Sequence, residues 1–126
     1  MKRRFAFLLA ATFAAACDST EPPRGGVYRA VLQSPSGAEG AALVSLSGGG
    51  IEKITSSSGQ VFSQLSAKGA NVAIFREPAG TLEFDVQVAT GHGTPSAQVV
   101  EVVDGADRMR GLTGYVVTFS RTEAAQ

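Results

Sequence analysis

Three places in this chain carry side chains whose types and spacing could do chemistry: the sole cysteine, Cys17; the sole histidine, His92; and a pair of carboxylates, Asp104 and Asp107. A thiol with no second cysteine has no intramolecular disulfide partner, so in an exported protein it stands as a free reactive group or a site of covalent modification. His92 lies in Gly91-His92-Gly93-Thr94-Pro95, where its glycine neighbours put the imidazole on an exposed, flexible loop. A metal site needs three or four ligands, and a nucleophilic triad needs a held base beside a positioned nucleophile. Neither cluster is readable around it. Gly91-x-Gly93 is no phosphate loop, because the segment that follows reads as a strand. Asp104-Gly105-Ala106-Asp107 sets two carboxylates in one turn. Calcium takes six to eight oxygen ligands and the acidic spacing of an EF-hand is missing, so the segment reads as an Asp-Gly turn, with a cation site as the alternative. No catalytic, cofactor-binding or metal residue is assigned, and the chain is expected not to be an enzyme.

The surroundings of Cys17 say more than the thiol itself. Lys2, Arg3 and Arg4 form a compact positive head, followed by an uncharged run from Phe5 to Ala16. That run falls short of the roughly 20 apolar residues needed to span a bilayer. Residues 1–16 therefore read as a signal peptide. Ala14-Ala15-Ala16-Cys17 resembles the lipobox of bacterial lipoproteins, from which it departs in carrying Ala14 where leucine is the commoner residue. The resemblance implies that the Cys17 thiol is joined to diacylglycerol. Cleavage before Cys17 then frees an amino group that is usually acylated, as by palmitate. One acyl chain holds a protein only reversibly, whereas two or more hold it stably, at roughly 0.8 kcal/mol per buried methylene. The expected location is the cell envelope, lipid-anchored to a bacterial membrane with the domain outside the cytoplasm. The alternative is an A-x-A cleavage that releases a soluble secreted protein.

After such cleavage, residues 17–126 are enough for one domain with its own core. Loss of Lys2, Arg3 and Arg4 leaves 8 basic residues against 11 acidic ones, a net charge of −3. The basic residues are scattered, so no nucleic-acid partner is expected. Residues 17–26 read as a lipid-anchored tether: Asp18 to Gly26 has only its prolines to bury and extends to at most about 30 Å.

Residues 27–120 show short runs of period two between turn residues. Tyr28, Ala30 and Leu32 alternate with polar or smaller neighbours; Ser34 to Gly40 reads as a loop; Ala42, Val44 and Leu46, or their neighbours, mark a second strand. Further strands are expected at Ile51–Thr55, Gln60–Ser66 and Asn71–Arg76, with Pro78 and Gly80 in a tight turn. Thr81 to Ala89 gives the clearest alternation, Leu82, Phe84, Val86 and Val88 against Glu83, Asp85 and Gln87, and is the expected centre of the core. Ala97 to Val103 is nearly all apolar, as for a strand buried on both faces. Tyr115, Val117 and Phe119 form the last set, and residues 121–126 a polar tail. The fold class is all-β, an antiparallel β-sandwich of about seven or eight strands, with a small β-barrel as the alternative.

Gly40-Ala41-Ala42-Leu43-Val44-Ser45-Leu46 and Gly80-Thr81-Leu82-Glu83-Phe84-Asp85-Val86-Gln87-Val88 resemble strands of the cohesin-like sandwich domains of bacterial surface proteins. As a whole the chain resembles small bacterial lipoproteins, a class that implies an architecture and no particular activity. The expected role is a non-catalytic binding or structural module contacting another envelope protein, its membrane link being the lipid on Cys17. A carbohydrate-binding module is the alternative, and no small-molecule ligand is assigned.

Overall fold

The computed structural model describes residues 24–122. The expected signal segment 1–16, the expected lipidation site Cys17, the expected tether up to residue 23 and the tail from residue 123 lie outside the described residues.

Among the described residues eight strands run in chain order: β1 (Gly26–Gln33), β2 (Glu39–Ser47), β3 (Ile51–Thr55), β4 (Gln60–Ser66), β5 (Gly69–Gly80), β6 (Glu83–Val88), β7 (Ser96–Val103) and β8 (Val116–Arg121). They form two antiparallel four-stranded sheets, sheet A in the order β3-β6-β1-β8 and sheet B in the order β4-β5-β2-β7. The expected β-sandwich is found, with eight strands and no closed barrel. Odd-numbered strands all run one way and even-numbered strands return. The loops therefore gather at two ends. Residues 48–50, 67–68 and 89–95 lie at the near end, where β1 begins; residues 34–38, 56–59, 81–82 and 104–115 lie at the far end.

Alternation explains the core. Tyr28, Ala30 and Leu32 of β1 and Phe84, Val86 and Val88 of β6 turn inward from sheet A, to meet Ala42, Val44 and Leu46 of β2 and Ala70, Val72 and Ile74 of β5. These are the two inner strands of each sheet. Leu82, just before β6, is buried with them. Fully burying the four apolar side chains from Leu82 to Val88 contributes up to about 6–12 kcal/mol before chain entropy is subtracted. The clearest alternation in the sequence does occupy the core's centre.

Two expectations are corrected. β7 is not buried on both faces: it is the outer strand of sheet B, with Val102 fully buried and Val100 45 % exposed. Its apolar run includes a bulge, since Leu43 stands opposite Glu101 while Val44 stands opposite Val99, leaving Val100 unpaired on the outside. Pro78 and Gly80 make no tight turn either. Residues 76–79, with a cis Glu77-Pro78 bond, form an irregularity opposite Gly40, after which β5 resumes to pair Gly80 with Glu39, and the chain reverses at residues 81–82.

Phe84→Ala is expected to cost about 3–5 kcal/mol because it empties the middle of the core, whereas Gln87→Ala, on the exposed face of the same strand, is expected to change stability by no more than about 0.5 kcal/mol. Urea unfolding of the two variants checks the contrast.

Candidate functional site

The far end of the sandwich is organised by a residue that the sequence placed in a loop. Glu39, the first residue of β2, is 1 % exposed, the one charged side chain among the described residues that is fully buried. Three donors from other parts of the chain converge on its carboxylate. Ser34 Oγ and Tyr115 Oη donate to Oε2, and Arg110 Nε donates to Oε1 at 3.1 Å. Burial alone drives a carboxyl pKa upward, but the hydrogen bonds from Ser34, Tyr115 and Arg110, together with the Arg110 charge, outweigh it and leave Glu39 below its ordinary value. The group is ionised and its oxygens are engaged. It works as a clamp on the segments that bring these donors to it.

What the clamp holds is the long β7–β8 connection. Asp104 Oδ1 accepts from the backbone N–H groups of Ala106 and Arg108, and Asp104 N donates to Arg108 O. These bonds lower the Asp104 pKa, first through the Arg108 and Ala106 amides. Asp107 takes a left-handed φ of 64° to complete the turn. Of the two carboxylates considered as cation ligands, Asp104 and Asp107, the first is thus engaged with its own backbone, and its second oxygen faces Arg108. Among the described residues no group of three or more His, Cys, Asp or Glu is placed to hold a metal ion. Past the turn, Arg110 N donates to Val102 O and Met109 bridges Val103, so the chain folds back along β7. Gly40 permits the close approach of β2 to this turn, because a Cβ there would stand 2.7 Å from Asp104 O.

With Arg110 drawn inward to Glu39, its neighbour Met109 extends the outer face of sheet B. The strand registers show what that face contains. The row nearest the far end runs Gln60, Phe75, Ala41, Val103, Met109, and the next runs Phe62, Ala73, Leu43, Glu101. Phe62 is 60 % exposed, Phe75 45 % and Met109 68 %. The two rows towards the near end are polar but uncharged: Gln64, Asn71, Ser45 and Gln98, then Ser66, Gly69, Ser47 and Ser96. Glu101 is the single charge in these four rows. Sheet A is the opposite case. Its outer face carries Lys53, Glu83 and the cross-strand pair Arg29–Asp85 at 2.9 Å, the charged surface expected of a sheet turned to water.

His92 is exposed as the sequence suggested, but its ring lies over the 48–50 loop. A Cβ on Gly50, whose φ is +79°, would come within 2.4 Å of the ring. The imidazole therefore caps the near end, distant along the strands from the Glu39 cluster. No known family model, curated protein or solved structure matches the chain.

Sequence reasoning missed both Glu39 and the apolar half-face. Glu39 offered no signal, since its partners Arg110 and Tyr115 are 71 and 76 residues away. The half-face did leave one: at 41–44 and 72–75 apolar residues occupy both parities, so each strand is apolar on two sides.

Glu39→Gln keeps the side chain's size but turns an NH2 towards groups that donate, and is expected to cost about 1–3 kcal/mol at neutral pH. The native pKa is lowered from the ordinary 4.5, so the native carboxylate's contribution is complete above that range and fades as the pH falls through the folded-state value. Thermal unfolding across acid pH is expected to show the gap between wild type and Glu39→Gln narrowing there.

Proposed function

We propose that this chain is a lipid-anchored cell-envelope protein whose sandwich is a non-catalytic module contacting another envelope protein through the far half of sheet B's outer face. The observation that carries this reading is the exposed apolar half-face of Phe62, Phe75, Leu43 and Met109. Large side chains clustered on one face, bordered by uncharged polar rows and backed by a charged opposite face, are the composition of a protein contact surface. Anchoring through Cys17 rests on the positive head, the apolar run and Ala14-Ala15-Ala16-Cys17. The cohesin-like strand resemblance accords with a binding role.

The tether joins the domain at the near end, beside Val88 and Ala89, so the contact surface stands at the opposite end of the strands. Carbohydrate binding is less well served. The chain has no Trp, and Phe62 and Phe75 meet edge to face, with centroids 5.9 Å apart and planes at 73°, which gives no shared flat platform for a sugar ring.

In a bacterial host, the full chain is expected to reach the membrane fraction with residues 1–16 removed and an intact mass that includes diacylglycerol and acyl groups on Cys17. Cys17→Ser should lose that mass and partition to the aqueous phase. Crosslinking in native envelopes should yield a defined protein adduct that Phe62→Ser/Phe75→Ser abolishes and Glu83→Ser preserves. An adduct insensitive to the first pair, or absent altogether, would contradict the reading.

A further inference from the structure

The four outer strands of this sandwich do not defend their edges equally. β3 is five residues long, bulged between Ile51 and Lys53, and charged at Glu52 and Lys53. β7 is bulged at Val100 and covered at its end by Met109 and Arg110. β8 ends in Arg121. Short length, bulges, charge and cover are the means by which proteins keep an open edge from pairing. β4 has none of them. Its seven residues, Gln-Val-Phe-Ser-Gln-Leu-Ser, pair with β5 in unbroken register and carry no charge and no proline.

The direction of its free backbone groups follows from the hairpin. A two-residue loop closes β4 on β5 at Ser66 and Gly69, and in an antiparallel ladder bonded and non-bonded pairs alternate. Gln60, Phe62, Gln64 and Ser66 therefore bond β5, while Val61, Ser63 and Leu65 turn their N–H and C=O groups outward. These three are spaced symmetrically about Ser63.

We infer that β4 pairs antiparallel with β4 of a second copy of this chain, about a two-fold axis through Ser63, to make sheet B continuous across two molecules. In that register Ser63 meets Ser63 and Val61 meets Leu65, so every outward backbone group finds its complement in about six hydrogen bonds. The side chains suit the same pairing. Val61 packs at the margin of the core, and Leu65, on the same side of β4, is 42 % exposed. Each copy's Leu65 would be covered by the other's Val61. On the outer face Phe62 meets Gln64. A strand without charge sets no like charges against each other when it meets itself. A two-fold axis normal to the sheets keeps both contact faces on one side, so the dimer is compatible with the proposed function without depending on it.

The test uses the full chain in mild detergent. Ser63→Cys is expected to form a covalent dimer under mild oxidation, because opposed Cα atoms in a bonded pair lie about 5.5 Å apart, within disulfide reach. Gln98→Cys, exposed on β7, is the control for random collision and for any dimer formed through Cys17. Ser63→Lys, which brings two like charges together at the axis and leaves the monomer's contacts intact, is expected to raise the dimer dissociation constant at least tenfold in sedimentation velocity, with Tm unchanged. A Ser63→Cys dimer no more abundant than the Gln98→Cys control, or self-association indifferent to Ser63→Lys, would overturn the inference. Neither readout involves the Phe75 surface or any other protein, so its failure is separate from failure of the proposed function.

Discussion

The far end of this molecule depends on one buried charge. A carboxylate taken out of water is costly unless its oxygens are fully hydrogen-bonded, and Glu39 meets that condition only when Ser34, Arg110 and Tyr115 arrive together. The requirement works in both directions. Satisfying Glu39 ties the β1–β2 loop, the folded-back segment after β7 and the residue preceding β8 to the first residue of β2. An apolar residue at this position would bury more simply, but it would leave the side chains of Arg110 and Tyr115 without the carboxylate that now holds them.

The consequence reaches the surface. Arg110 is held inward, Met109 therefore stands outward beside Val103, and the row begun by Phe75 and Ala41 is extended by one more large side chain. Sheet A, whose outer face is charged, makes no comparable surface. The two sheets share one core but present unlike outer faces, one charged and one partly apolar, and this division rests on which residues occupy the outward parity of each strand. On sheet B the division also runs along the strands, apolar at the far end and polar without charge at the near end.

Much of the fold was legible because strand formation here is local. β3 and β4 coincide with Ile51–Thr55 and Gln60–Ser66 as read from turn residues alone, and the alternation from Leu82 to Val88 marked the core's centre. What escaped was set by neighbours distant in sequence. The apolar run of β7 suggests burial on both faces, yet burial depends on having a strand on either side, and β7 has only β2 beside it, with the fold-back of Met109 and Arg110 covering its other edge at one end. Pro78 looks like a turn residue, but it sits in an irregularity near the end of β5, before the chain reverses at residues 81–82. Glu39 next to glycine reads as loop, because nothing local announces that three donors will come to it. The half-face was written in the sequence as strands apolar on both parities, a pattern that marks the outward side as unusual without saying what covers it.

Everything at the far end requires Glu39 to be ionised with both oxygens hydrogen-bonded. Carboxyl 13C NMR of the protein labelled at glutamate, followed through an acid titration, measures it directly. The Glu39 midpoint is expected below the ordinary 4.5. A midpoint above that value, the behaviour of a carboxyl governed by burial alone, would contradict it.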